Sequence, residues 1–411
     1  MFARQAAHPH NPLLCFLHMR LLHTADFHAG KTLRGFDRTP EIRKALLEMV
    51  DLCLSEKVDA VLVAGDLFDN ANPTADAENA LFEFFLTLKE KGIPSVSIAG
   101  NHDSARRLTS VSGLLGWVGA QLVSELNPKN LLEAVKTVIA RDGSLLKVAA
   151  LPFLSERRLI KTAQLAEGDL GDWRLEYQFK LQAFINRLAT GFDPSGVNVL
   201  MMHTTLEGAV NSGSESHFKF DIDNSYTVSS AMLPTTAQYV ALGHIHKSQQ
   251  VAQYPPAVYS GSPLQLDFGE AGDRKSVRLI DLEPGRPAQI HTLPLSSGKM
   301  LRSARVLLDD LDPQLEALRD FSGLLKVVVR VPPGLAVAGL KDRVMSILPN
   351  ALSVELERLD GVLLLEAASR QNLTPLELFS RYYTERRGEL PDLVRDAFSE
   401  ALVAVEEGEL V

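Results

Sequence analysis

A chain of 411 residues is longer than one ordinary core supports, so two or three domains are expected. With 45% hydrophobic and 23% charged residues it has a globular composition, and no apolar run reaches the roughly 18–20 residues that a membrane span needs. A net charge of −9 counts against a broad basic surface that grips nucleic acid unaided, and two cysteines, Cys15 and Cys53, exclude a disulfide framework and a thiolate metal site and suit a reducing cytoplasm.

Residues 1–18 show no periodicity despite His8 and His10, and their apolar stretch at 13–17 is too short for a signal peptide, so they are read as a disordered leader with Met19 as the natural start. Residues 19–26 read as an apolar strand. Pro40 opens a helix whose Ile42, Leu46, Met49, Val50 and Cys53 recur at helical spacing. A buried strand at 58–64 stops at Gly65. A second helix carries Leu81, Phe84, Phe85 and Leu88 on one face and has Gly92 beyond its end, and a third strand at 93–99 stops at Gly100. This rhythm of helices and near-continuous apolar strands predicts an α/β fold with helices on both faces of a sheet. Further strands are predicted at 197–202 and 237–242, and a strand with a turn at 257–268. Prolines, serines and glycines loosen the pattern at 281–300, and a domain boundary is placed there. Beyond it come a strand at 324–331, a helix at 337–348 and a hairpin around Asp360-Gly361, then two amphipathic helices. One starts near Pro375; the other follows Pro391, with Val394, Phe398, Leu402 and Val405 as its stripe.

Five strand ends carry polar residues of one chemical kind: Asp26 and His28; Asp66 and Asp69; Asn101, His102 and Asp103; His203; and His244 with His246. Ligands of open α/β sheets gather at the carboxyl ends of strands, so these groups can converge. Carboxylate, imidazole and amide oxygen suit manganese, iron or zinc. Alternation along a strand would put both members of Asp26-x-His28, and of His244-x-His246, on one face. Asp66 has two oxygens and can bridge two ions, which at about 3.5–4 Å apart clamp a phosphate and activate a water. Gly65, Gly100 and Gly243 each precede a ligand and would permit tight turns. Singly each motif is weak, since Gly-Asp is ordinary turn chemistry and Asn-His-Asp can cap a helix. The weight lies in their order.

The run DFH (26–28), GDLFD (65–69), GNHD (100–103), His203 and GHIH (243–246) resembles the signature of calcineurin-like metallophosphoesterases. Asn70 stands where the superfamily's protein phosphatases carry arginine. LLHTADFHAGKTLRG (21–35), VALGHIHKSQ (240–249), YSGSPLQLDFGE (259–270) and PLELFSRYYTERRGELP (375–391) narrow the resemblance to the SbcD family of bacterial nuclease subunits. It spans residues 19–411.

The resemblance implies a β-sandwich core flanked by helices at 19–298, a small α/β capping domain at 299–371 and C-terminal helices at 372–411 that dock on a coiled coil. One ion would sit on Asp26, His28, Asp66 and His246, the other on Asp66, Asn101, His203 and His244, with manganese favoured. His102 would act as general acid, oriented by Asp69, while Asp103 is structural. The implied activity is exonuclease on double-stranded DNA ends and endonuclease on single strands and hairpins, in repair, recombination and replication, with an SbcC-type ATPase partner. A homodimer in the cytoplasm is also implied. The partner would supply phosphate grip that this acidic chain lacks. Lys31, Arg34 and Arg106 are the favoured phosphate contacts, with Arg38, Arg107, Arg157 and Arg158 as further candidates. Leu108, Val111, Leu114, Leu115 and Trp117 form a candidate dimer surface or belong to the core. His23 is expected in the core and His217 in a loop without a catalytic role. The alternatives are a phosphodiesterase of small substrates and a non-catalytic scaffold.

Overall fold

The computed structural model describes residues 18–141, 143–154, 173–212, 227–332, 339–358, 363–364 and scattered positions from 374 to 402. His217, Arg157, Arg158 and the residues before 18 lie outside that set, as do Asp360-Gly361 and most of the expected C-terminal helices. Where those helices are described, the Phe398 ring stacks on Phe379 with centroids 4.0 Å apart.

The first half alternates strand and helix as its periodicity predicts. β1 (Met19–Thr24) leads through a short hairpin, β2 (Thr32–Leu33) and β3 (Phe36–Asp37), into α1 (Thr39–Ser55). Then follow β4 (Ala60–Val63), α2 (Ala75–Glu90), β5 (Ser95–Ile98), α3 (Ala105–Trp117) and β6 (Ala120–Val123). Pro40 lies in the first turn of α1, where its missing N–H costs nothing. Thr74 caps α2 by accepting from the Ala77 N–H. A second series comprises β7 (Val135–Ile139), β8 (Leu145–Leu151), α4 (Trp173–Ala189), β9 (Val197–His203), β10 (Tyr239–Gly243), β11 (Gln249–Gln253) and β12 (Pro256–Tyr259). β13 (Ser276–Leu282) and β14 (Gln289–Pro294) return to the first sheet, whose order is β14-β13-β1-β4-β5-β6; the second runs β11-β12-β10-β9-β8-β7. Each sheet contains four neighbouring parallel strands, β1-β4-β5-β6 at one side of the first and β12-β10-β9-β8 in the middle of the second.

The two sheets pack face to face. Leu21, Ala60, Leu62, Val96 and Ile98 share one core with Val148, Val199, Met201, Val240 and Val258 of the second sheet. The intervening residues Leu22, Val61 and Val63 point the other way, against Ile42, Leu46 and Met49 of α1 and Leu81, Phe84 and Phe85 of α2. The expectation of helices on both faces of one sheet is therefore corrected. A strand buried on two sides must be covered twice, but its sequence does not say by what, and here a second sheet covers one side.

His23 sits fully buried between the sheets, its Nδ1 2.8 Å from the Tyr239 hydroxyl. Burial, aided by Arg278, pushes its pKa down to about 3. Between pH 6.5 and about 3 the unfolded chain binds a proton that the folded one refuses. This group's stabilisation is thus complete above pH 6.5 and shrinks on acidification, by about 1.4 kcal/mol per pH unit. Denaturant titrations at about pH 7 and about pH 5 are expected to show that His23→Gln loses about 2 kcal/mol less than wild type over that interval. Equal losses would exclude His23 as the titrating group.

Residues 301–364 form a separate sheet, β15 (Leu301–Leu307), β16 (Leu324–Val331), β17 (Ala351–Arg358) and β18 (Leu363–Leu364), with α5 (Leu311–Glu316) and α6 (Leu340–Ile347) between the parallel strands. Leu315, Val327, Val329 and Val344 fill its own core. The chain reaches it along α1: Glu48 accepts from the Ser296 and Ser297 N–H groups, and Glu41 from that of Lys299. Arg38, a phosphate candidate on sequence, is fully buried and donates to the carbonyls of Gln265 and Lys299. That removes it from any DNA-facing surface.

Candidate metal centre

All the parallel strands of both sheets that bear candidate ligands end at one edge. β1, β4 and β5 bring Asp26, His28, Asp66, Asp69, Asn101 and His102; β9 and β10 bring His203, His244 and His246. The loops after β1 and β4 are zipped by backbone hydrogen bonds, Asp26 N–H to Gly65 carbonyl at 2.9 Å and His28 N–H to Asp66 carbonyl at 3.0 Å. Asp26, His28, Asp66 and His244 all take left-handed backbone conformations, with φ of 56°, 47°, 50° and 99°. Such conformations cost of order 1–3 kcal/mol each outside glycine and concentrate at functional sites. The expectation that strand alternation aligns each Asp-x-His or His-x-His pair is thus corrected. β1 ends at Thr24 and β10 at Gly243, and left-handed turns do the aiming.

Two of the three glycines that precede ligands serve close approach rather than turning. A Cβ on Gly100 would strike the Asp66 carboxylate and backbone, and one on Gly243 would strike the Ala64 carbonyl. Only Gly65 has a left-handed φ, 95°.

The donors fall into two groups that share one residue. In the first, His28 Nε2 lies 3.1 Å from His246 Nε2 and 3.5 Å from Asp66 Oδ2. In the second, Asn101 Oδ1 lies 2.9 Å from both His203 Nε2 and His244 Nδ1, and Asp66 Oδ2 lies 3.4 Å from His203 Nε2. Ligands about 2.1 Å from one ion and at right angles lie about 3.0 Å apart, so the spacings suit shared coordination. Asp26 Oδ1 accepts from the His244 N–H at 2.9 Å, while its Oδ2 is buried without a hydrogen-bond partner. Asp26, His28 and His246 each place a donor atom within 4.8 Å of the others, as do Asp26, Asp66 and His203.

Three imidazoles are held by their far nitrogen. His28 Nδ1 meets Asp69 Oδ1 at 3.2 Å, His246 Nδ1 meets Glu270 Oε1 at 3.0 Å, and His203 Nδ1 meets the Ala64 carbonyl at 2.8 Å. Carboxylate and carbonyl oxygens only accept, so each Nδ1 carries the hydrogen, and the Nε2 atoms of His28 and His246 turn lone pairs inward. The two lone pairs of His28 and His246 then face each other at 3.1 Å. That arrangement is repulsive unless a cation lies between them. The orphaned Asp26 Oδ2 points to the same conclusion: the residues fit divalent ions.

Charge in the metal-free centre is unevenly distributed. Burial pushes His28 down to about 4, and burial with the neighbouring His203 pushes His244 down to about 3. For His203 burial acts downward too, but Asp66 and Asp26 outweigh it and hold its pKa at about 9. Burial raises Asp26 to about 6. Asp66 resists burial and stays well below the carboxylate range because His203, His102 and His28 surround it.

His102 borders the first group without joining it: one of its ring nitrogens lies within 4.8 Å of donor atoms of His28 and Asp69. Its Nδ1 donates to the Asp69 carbonyl at 2.8 Å, and its N–H donates to Asp66 Oδ1 at 2.9 Å. Asp69 thus meets His102 through its main chain, while its carboxylate serves His28 and Lys31, whose Nζ is 3.0 Å away. Asp103 accepts from the N–H groups of Leu67, Phe68 and Gly100, which ties the β4 and β5 loops together. Arg34 lies 3.8 Å from Glu355 of β17, Arg107 pairs with Glu78, and Arg106 is exposed. The sequence reading misses Glu270 and Lys275 behind His246. Glu270 stands in the quoted stretch 259–270, but nothing in its spacing relates it to a histidine 24 residues earlier.

Residues 19–248 match the family model for the calcineurin-like phosphoesterase. The chain is 35% identical to the SbcD component of the nuclease SbcCD of Bacillus subtilis, covering 78% of this chain and 81% of that one. It is 32% identical to that of Rhodobacter capsulatus, covering 71% and 76%, and 27% identical to that of Escherichia coli K12, covering 74% and 75%. Among the described residues no helix is long and apolar enough to cross a membrane. Fold, donor set and family model agree on a metal-dependent phosphodiesterase, and the chain belongs to the SbcD family of nuclease subunits within the calcineurin-like phosphoesterases.

Proposed function

We propose that this chain is the two-ion, manganese-dependent nuclease component of a DNA end-processing complex. It cuts double-stranded ends exonucleolytically and single strands and hairpins endonucleolytically, in repair, recombination and replication in the cytoplasm. The observation that carries the reading is the pair of donor groups sharing Asp66 Oδ2, in a chain related to nucleases named as components of a larger complex. One ion is held by Asp26, His28, Asp66 and His246, the other by Asp66, Asn101, His203 and His244. When bound, such ions neutralise phosphate charge and make an attacking water more acidic. The chain's own contribution is orientation and proton handling. Asp69 and Glu270 fix two imidazoles, and the Asp69 carbonyl fixes His102 Nδ1–H, so from the imidazolium form Nε2–H is the donor that gives its proton to the leaving oxygen and leaves the ring neutral. Lys31, Arg34 and Arg106 contribute phosphate contacts, and an SbcC-type ATPase supplies the rest of the DNA grip. Residues 299–371 cap the site, and residues 372–411 dock on the partner's coiled coil.

The test is manganese-dependent degradation of linear duplex DNA compared with hydrolysis of bis(p-nitrophenyl) phosphate. Degradation of DNA that a chelator abolishes is expected. Hydrolysis of the small ester with DNA left intact, even with the ATPase partner and ATP, would refute the nuclease reading in favour of small substrates.

The proposed homodimer uses the outer face of α3. Leu108 and Leu115 are buried and belong to the core, whereas Leu114 and Trp117 are 63% and 83% exposed. Large apolar side chains exposed on one helix face mark an interaction surface. Leu114→Asp leaves the core side of α3 untouched and is expected to convert a dimer to a monomer in light scattering. A folded variant that stays dimeric would exclude this helix.

A further inference from the structure

The segment after β12 supplies none of the donors, yet it grips one of them. Glu270 is fully buried, and a carboxylate is almost never fully buried unless it is paired. Its two oxygens have separate duties. Oε1 accepts from His246 Nδ1 at 3.0 Å. Oε2 receives Lys275 Nζ at 2.5 Å and the Leu266 N–H at 3.2 Å, while the Ser262 hydroxyl, 3.4 Å away, gives its hydrogen to the Leu264 carbonyl at 2.8 Å. Lys275 Nζ also donates to the His246 carbonyl at 3.0 Å and lies 2.9 Å from Ser262 Oγ. One buried ion pair therefore holds His246 by its side chain and by its main chain.

We infer that Glu270 is a positioning residue that selects the Nδ1–H tautomer of His246, and that Lys275 holds Glu270 in place to do so. The inference rests on the two-ion reading and assigns one ion's occupancy to residues that never touch it. Glu270 is suited to this because its partners are asymmetric. Lys275 and the Leu266 N–H converge on Oε2, so any replacement must keep an acceptor there. In Glu270→Gln the amide oxygen stays with those donors and the NH2 group faces His246 Nδ1. The imidazole must then accept at Nδ1 and carry its hydrogen on Nε2, the atom aimed at His28 and the ion.

The experiment uses the full chain. Nitrogen-15 histidine spectra of the metal-free protein, with the His246 signal identified by its loss in His246→Gln, report the tautomer directly. Wild type is expected to show Nδ1–H, and Glu270→Gln to show Nε2–H. Manganese titration followed calorimetrically is expected to weaken one of two sites by about 10–100-fold in the variant and leave the other unchanged. Glu270→Gln leaves a buried ammonium beside an amide, so Glu270→Gln/Lys275→Met is measured as well. The Leu266 N–H still holds the amide oxygen there, and the same two results are expected. A wild-type His246 in the Nε2–H form overturns the inference outright, as does unaltered binding at both sites in a folded variant. A wild type that takes up no second manganese sinks the two-ion reading instead, and the tautomer spectra then decide the positioning role alone.

Discussion

Asp66→Asn is expected to empty both ion sites at once, and no other single substitution should do so. Asp66 Oδ2 is the donor atom that reaches both groups, 3.5 Å from His28 Nε2 and 3.4 Å from His203 Nε2. Asparagine is nearly isosteric and can still accept the His102 N–H through its remaining oxygen, so the β5 loop keeps its anchor. What is lost is the negative charge and one oxygen, at the point where two dications would share it. Elemental analysis should fall from about two manganese per chain to near none, and nuclease activity by about 10³-fold or more, as expected when several kcal/mol of ion-supplied stabilisation disappear. The metal-free protein should remain folded. It should nonetheless lose some stability, because the surrounding imidazoles outweigh burial and hold Asp66 in its charged form, which a neutral amide does not replace. A variant that retains one tightly held ion would show that Asp66 does not bridge. The comparison with His246→Asn sharpens this, since His246 lies in one group only and its loss should spare the second ion.

The donor set is exposed in the sequence because each donor sits next to a signal of its own kind. An apolar run ends, and a residue with a hard oxygen or imidazole follows, most often with a glycine between. Asp26, Asp66, Asn101, His203 and His244 are all legible in that way, and parallel strands guarantee that their ends share an edge. What aims them is not legible. Left-handed φ at four non-glycine residues is imposed by hydrogen bonds between loops far apart in the chain, such as Asp26 N–H to the Gly65 carbonyl, and no local pattern encodes it. Glu270 and Lys275 stay hidden for the same reason. Their meaning lies in a contact with His246 formed only once the turn after β12 folds back under β10. Charge misleads in the opposite direction. Arg38 looks like a phosphate ligand beside Lys31 and Arg34, but its guanidinium is buried and satisfies the carbonyls of Gln265 and Lys299 where the chain passes from the first sheet to the third. Edge strand β14 reads as a loosened linker because Gln289, His291 and Thr292 face solvent, which erases the apolar alternation.

His102→Ala should separate chemistry from metal binding. His102 belongs to neither donor group, and its hydrogen bond to Asp66 comes from the backbone N–H, which the substitution retains. Two manganese ions per chain are therefore expected in the variant, with DNA cleavage reduced by about 10²–10⁴-fold, the range for loss of a proton-transfer group. The size of the loss should depend on the leaving group. A DNA 3′- or 5′-oxygen leaves as a strongly basic alkoxide and needs a proton, which the Asp69 carbonyl helps to deliver by holding Nδ1–H and freeing Nε2 for the exchange. The p-nitrophenolate of bis(p-nitrophenyl) phosphate leaves without one. The variant should therefore lose far less activity on the nitrophenyl ester than on DNA. An equal loss on both substrates would mean that His102 stabilises charge on the phosphate itself. Lost manganese would mean that the ring, through its edge contact with His28 at 4.7 Å between centroids, helps to shape the first ion site. Only the leaving-group-dependent result assigns the proton to His102 Nε2.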